Sequence, residues 1–166
     1  MMAGVLRECG EGDFESVLSI INDAATVYEG AIPDDCWHTP YMPANELAGE
    51  LAAGVRFFGW HEDGRLVGVM GLQEVGDVSL IRHAYVLRDY QGKGVGTRLL
   101  EGLIAFAKAP TVLVGTWAAA LWAVGFYRKR GFEQVSTEEK DRLLGRYWRI
   151  SDRQTETSVV LRLRKG

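Results

Sequence analysis

Several things are scarce in this chain, and each scarcity excludes something. Two cysteines in 166 residues, Cys9 and Cys36, make no disulfide framework, so a reducing cytoplasm is the expected setting. Basic residues are not in surplus, with 19 Lys and Arg against 22 Asp and Glu, and they are scattered. That gives no electrostatic case for a nucleic-acid partner. No apolar run reaches membrane-spanning length before Gly, Arg or Asp breaks it, so no membrane partner is expected. The start, MMAGVLRECGEGDFE, lacks the basic segment and apolar run of a signal peptide. Three dispersed histidines and two dispersed cysteines show no metal-ligand spacing, and no metal is expected. Repeats, low-complexity tracts and linkers are also missing.

What is present is ordinary globular composition, 47% apolar and 25% charged, at a one-domain length that is read as a single domain over residues 1–166. Residues 4–9 suit a short strand. Asp13 suits a helix N-cap, and Phe14, Val17, Leu18, Ile21, Ala24, Ala25 and Tyr28 follow with helical spacing. Residues 29–42 hold two prolines, three acids and two aromatics and read as an irregular loop. Pro43 opens a second short helix with Leu47, Ala48, Leu51 and Ala52 as its expected apolar face and Gly54 as its stop. Asp63-Gly64 and Gly76-Asp77 each separate apolar runs, predicting two hairpins and three antiparallel strands near 55–60, 65–74 and 78–87.

Beyond them a glycine cluster leads into a helix striped by Val95, Leu99, Leu100, Leu103, Phe106 and Ala107, stopped by Pro110. TVLVGTW reads as a central strand, residues 119–130 as a helix ended by Gly131, and FEQVS and TSVVLRLR as closing strands. Between these two strands, Ser136 with Glu139 fits a capping box, so part of the insert 137–156 is expected to be helical.

Glycine weakens a helix by about 1 kcal/mol relative to alanine, so three at alternate positions, Gly92, Gly94 and Gly96, need a reason at a helix start. The first N–H groups of a helix are unpaired and carry the positive end of its dipole, which suits a phosphate that touches the backbone. Lys93 and Arg98 add nearby charge. A tight strand-to-helix turn explains a bare glycine triplet equally well. Neither the P-loop, G-x-x-x-x-G-K-S/T, nor the dinucleotide fingerprint, G-x-G-x-x-G, is present, and the preceding strand reads as antiparallel.

VLRDYQGKGVGTRLL resembles the acyl-coenzyme A signature of the GNAT acetyltransferase superfamily, Gln/Arg-x-x-Gly-x-Gly/Ala, here Gln91, Gly94 and Gly96. ALWAVGFYRKRGF is similar to the family's later motif, here Ala123, Phe126, Tyr127, Gly131 and Phe132. The inferred element order matches along essentially the whole chain. One departure stands out: Ala120 occupies a position where the family often has Asn.

The resemblance implies an α/β fold with a mixed, mostly antiparallel sheet of about seven strands flanked by helices. It also implies acetyl-coenzyme A as co-substrate, bound by Ala84, Tyr85, Val86, Gln91, Gly92, Lys93, Gly94, Val95, Gly96 and Thr97, and a small-molecule amine or a peptide as acceptor. Dimers are frequent in the family, so a homodimer is among the expected states. Tyr127 becomes the expected acid for the departing thiolate, because a phenol with a pKa of about 10 is protonated at neutral pH. Periodicity alone makes Tyr127 a packing residue.

His83, Glu74 at the end of the preceding strand and a water chain are alternatives for the base. Cys36, with Asp34 and Asp35 close by, does not suit a nucleophile. Asp34 and Asp35 with Trp37 suit a cationic acceptor, while a solvated acidic loop accounts for them as well. A noncatalytic acyl-coenzyme A binding or sensing module is the competing reading of the same motifs.

Overall fold

The computed structural model describes residues 4–165. Strand β1 (Gly4–Glu8) is followed by helices α1 (Phe14–Ala25) and α2 (Ala44–Ala52), then by β2 (Arg56–Glu62), β3 (Arg65–Val75) and β4 (Val78–Val86). Helix α3 (Val95–Phe106), β5 (Thr111–Trp117), α4 (Leu121–Arg128) and β6 (Glu133–Gln134) come next. The chain continues through α5 (Thr137–Tyr147) and α6 (Asp152–Glu156) into β7 (Ser158–Arg164). The seven strands form one sheet in the order β1-β2-β3-β4-β5-β7-β6. Every pairing is antiparallel except β4 with β5. This is the mixed, mostly antiparallel sheet that the motifs implied. Among the described residues no helix is long and apolar enough to cross a membrane.

Both hairpins form where the turn residues put them. Asp63 and Gly64 adopt φ of 50° and 80°, as a two-residue turn between twisted strands requires, and Gly76 adopts 57°. Alternation along the strands then sends side chains to two covered faces. Phe58, Met70, Leu72 and Ile81 pack with Leu99, Leu100 and Leu103 of α3 and Val124 and Tyr127 of α4. On the other face, Phe57 and Val69 meet Val17, Ile20 and Ile21 of α1 and Leu47 of α2. Val78, Leu80, Leu113 and Val160 meet Leu143 and Leu144 of α5 on that same side. Leu103 is fully buried, so Leu103→Ala should destabilise the fold by about 2–5 kcal/mol, read as a lower urea midpoint with an unchanged slope.

Three expectations need correction. The apolar face assigned to α2 is not buried as a face: Leu47 is, but Ala48, Leu51 and Ala52 are exposed. This nine-residue helix meets the core at one point and uses its inward side to bring Glu50 over β4. His61, which the sequence places at the Asp63-Gly64 hairpin turn where exposure is the expectation, is buried within β2, and burial lowers its pKa. The strand read from FEQVS shortens to two residues. Ser136 does accept from the Glu139 N–H at 3.2 Å, and the insert folds as α5 and α6. The Glu139 carboxylate pairs with Arg142 and Arg162 instead of closing the box.

Candidate active site

The site begins where the sheet splits. Strands β4 and β5 pair only between Val78–Ile81 and Thr111–Val114, although both continue further. Just beyond the last pair, β4 bulges: Val69 pairs with Tyr85 and Gly71 with Arg82, so His83 and Ala84 together oppose Met70. His83 has φ of 55°, a left-handed conformation rare for a residue with a side chain. Such strain, typically ~1–3 kcal/mol, persists where surrounding contacts hold it. Here the imidazole stacks on Phe57 at 6.0 Å between centroids, and its Nε2 lies 3.0 Å from Glu50 Oε2. The hydrogen bond from His83 holds the Glu50 carboxyl below the usual glutamate range, against the opposing effect of burial. Arg82 lies 3.4 Å from the same Glu50 oxygen.

Two cavities open from this split. The larger, about 470 Å³, is lined by Ala84, Tyr85 and Val86 of β4, by Gln91, Gly92, Gly94, Val95, Gly96 and Thr97, and by Trp122, Phe126, Tyr127 and Arg130 around α4. Gly94, with φ of 84°, is the α3 N-cap. The first helical hydrogen bond runs from Arg98 N–H to Gly94 O at 3.1 Å, so the N–H groups of Val95, Gly96 and Thr97 have no partner within the helix. Gln91 Nε2 donates to Val86 O at 3.1 Å and ties the loop to the end of β4. Arg130 lies over the Phe126 ring at 4.1 Å and donates from Nε to Thr97 Oγ1 at 3.1 Å, which places a cation beside the free N–H groups. Free N–H donors, a helix dipole and a guanidinium make this end of the cavity fit for phosphate.

The smaller cavity, about 130 Å³, lies on the α1–α5 side of the split. Its walls include Tyr28, Tyr41, Arg82, His83, Thr116, Trp117, Trp148, Gln154 and Ser158. The irregular segment is fastened to α1 by Asn22, which donates to Met42 O at 3.0 Å and accepts from Met42 N–H at 2.7 Å. That clip fixes the neighbouring Tyr41. From the other side, α5, α6 and the chain between them supply Leu144, Trp148, Ile150 and Gln154, so the insert is a wall of this cavity. Tyr28, Ala84, Tyr85 and Tyr127 line both cavities. Tyr127 is 5% exposed; burial, with Tyr28 nearby, raises its phenol well above the ordinary tyrosine value. Burial pushes Tyr28 up to about 12, with Tyr41 adding to it and a Trp122 hydrogen bond opposing. Both phenols hold their protons at neutral pH.

The expected residues divide cleanly. Ala84, Tyr85, Val86, Gln91, Gly92, Gly94, Val95, Gly96, Thr97 and Tyr127 gather at the larger cavity, and His83 joins the smaller. Lys93 does not line the cavity; its ammonium lies 5.5 Å over the Tyr90 ring, and Arg98 lies over Trp60. Glu74 is no candidate base: it lines neither cavity, accepts from Ser79 Oγ, and caps the Lys108 N–H at 3.0 Å beyond the C-terminal end of α3. Asp34, Asp35 and Trp37 line neither cavity, and Asp35 is paired with Arg153 at 2.9 Å. Glu50, Arg82 and Arg130 were not anticipated. A signal existed for Arg82, a cation in phase with the apolar Val78 and Leu80 on one face of β4, and for Arg130, just before the Gly131 cap. Glu50 had none, because its partner is 33 residues away.

Comparison with known proteins agrees with this geometry. The acetyltransferase (GNAT) domain family matches residues 22–144. The N-alpha-acetyltransferase RimI of Mycobacterium tuberculosis is 30% identical over 125 residues, covering 72% of each chain. An L-methionine sulfoximine/L-methionine sulfone acetyltransferase of Pseudomonas aeruginosa is 27% identical over 150 residues, covering 80% of this chain and 81% of that one. In fold, the chain is similar to the PaiA N-acetyltransferase of Thermoplasma acidophilum, solved with coenzyme A, with a TM-score of 0.76, 16% identity, and 98% and 99% coverage of the two chains. On the family match over residues 22–144 and the 30% identity to an N-alpha-acetyltransferase, the chain belongs to the GNAT family and is an acetyltransferase.

Proposed function

We propose that this acetyltransferase moves an acetyl group from acetyl-coenzyme A to a primary amine by direct attack. The observation that carries this is the meeting of two cavities at Tyr28, Ala84, Tyr85 and Tyr127, one cavity suited to a phosphate-bearing co-substrate and the other to a small acceptor. The α3 N–H groups and Arg130 would hold the pyrophosphate. The co-substrate supplies an activated acyl carbonyl and a thiolate leaving group. The Val86 N–H, or one near it on the edge of β4 that the split leaves without a β5 partner, would polarise that carbonyl. Tyr127 would donate its phenolic proton to the departing sulfur. His83 would accept the amine proton, with Glu50 orienting the imidazole and balancing the charge it gains.

Release of coenzyme A over an amine panel tests the reading, which fails if no amine promotes release from enzyme that binds the co-substrate. The noncatalytic alternative draws on Ala120, fully buried and without a polar side-chain atom where the family often has Asn. Glu50 should act through His83. Glu50→Gln is expected to lower kcat by roughly 10–100-fold, the size typical of lost orienting partners, with little change in the KM for acetyl-coenzyme A. Glu50→Asp should recover part of that loss, whereas a change in KM alone would leave Glu50 a structural residue.

A further inference from the structure

The acceptor cavity carries a charge pattern opposite to the one its neighbouring sequence suggests. No Asp or Glu is among its lining residues, while Arg82 and His83 are. The acids of the irregular segment are elsewhere, with Asp35 taken by Arg153. A cationic acceptor would find aromatic rings here and no carboxylate on the wall. An anionic group would find a guanidinium.

That guanidinium is held in place. Arg82 lies one residue past Ile81, where β4 leaves β5, and shares its face with Leu80 and Val78. Arg82 Nη1 donates to Gln73 Oε1 at 3.1 Å, and Gln73 is itself fixed by donating to Ala53 O at 3.0 Å. Arg82 Nη2 lies 3.4 Å from Glu50 Oε2, an oxygen it shares with His83. A guanidinium has five N–H donors, so these two contacts leave donors unused. The side chain is 18% exposed, and a charge in so shielded a place attracts an anion more strongly than one in open water.

Spacing limits the ligand further. The transferred group must meet the amine beside Ala84 and Tyr127, where the cavities join. Arg82 stands two residues back on the same strand, across the bulge at His83. An acceptor of cavity size that reaches both points carries its anion close to its amine.

We propose that Arg82 binds the acceptor's carboxylate and that the acceptor is a free amino acid, its side chain lying among Tyr28, Tyr41 and Trp148. This deepens the transferase reading and rests on it. The test uses the twenty standard L-amino acids, their carboxamides and the corresponding decarboxylated amines, with spermidine as the cationic probe. Coenzyme A release gives kcat/KM, and calorimetric titration into the coenzyme A-loaded protein gives affinity without turnover.

The best free acid should exceed its amide and its decarboxylated amine by about 10²-fold in kcat/KM, in the range of charge-assisted bidentate contacts. Arg82→Met should bring the acid-to-amide ratio near one while preserving coenzyme A affinity. Arg82→Lys should retain part of the ratio, and it serves if the methionine variant does not fold. Equal or better turnover of amides, decarboxylated amines or spermidine by the wild type would overturn the proposal, as would a ratio indifferent to both substitutions. Arg82-dependent binding of free acids without turnover would support the subsite and overturn the transferase reading instead. Absence of both binding and turnover of free acids would overturn the subsite.

Discussion

Tyr127→Phe is expected to lower kcat by about 10²–10⁴, the usual range for loss of a positioned general acid, while the affinity for coenzyme A stays within a factor of two or so. The substitution deletes one hydroxyl and leaves the ring, which packs edge-on against Phe126 at 5.1 Å and Phe132 at 5.5 Å. Stability should therefore change little. Two properties set the size of the kinetic effect. The phenol stands at the junction of both cavities, and burial keeps it protonated through the neutral range. Tyr28 lines the same junction, so Tyr28→Phe is the matched control. If Tyr127→Phe turns over as the wild type does at saturating substrates in single-turnover conditions, Tyr127 is a packing residue. If Tyr28→Phe alone carries the loss, the acid is Tyr28.

Coenzyme A at 100 times its dissociation constant should raise the melting temperature by about 5–10 °C, from ~2.7 kcal/mol of linked stabilisation in a domain of this size. Gly96→Leu is the substitution that should cancel the rise. Gly94 has a left-handed φ, so a larger residue there strains the loop itself. Gly96 does not, and a Cβ on it would meet only the Phe126 ring, at 3.4 Å. A leucine side chain at this position occupies the lining between α3 and α4 and leaves the helix N-terminus formed. Arg130→Met should reduce the rise and weaken its dependence on salt, because among the described residues it removes the one guanidinium lining the cavity. No shift of the wild type at millimolar coenzyme A would overturn the binding mode.

The two motifs succeed for a local reason. Between Gln91 and Thr97 the groups proposed to hold the phosphates are backbone N–H groups and glycines that admit a close approach, and both follow from the order of residues along a single turn. Hairpins at Asp63-Gly64 and Gly76-Asp77 are local in the same sense, since turn residues with positive φ declare themselves. The acceptor side has no such code. Its walls come from Tyr28 just beyond α1, the segment at Tyr41, β4, β5, α4, β7 and the α5–α6 insert, and their approach depends on packing over long separations.

Asp34 and Asp35 show how proximity in sequence misleads. They stand near Tyr41 in the chain, yet neither lines the cavity, and Arg153 on α6 takes one of them. Glu74 misleads likewise, because one end of a long hairpin is far from the other. The sequence by itself determined the element order, the hairpins and the glycine-capped helix start, because turn chemistry and periodicity act over a few residues. Only the tertiary structure decided which charges share a cavity. The bulge at His83 and Ala84, the carboxylate of Glu50 between His83 and Arg82, and the meeting of two cavities at Tyr127 arise where separate elements split or converge. No spacing within one segment encodes such a convergence, since it is set by how two covered faces of one sheet are packed.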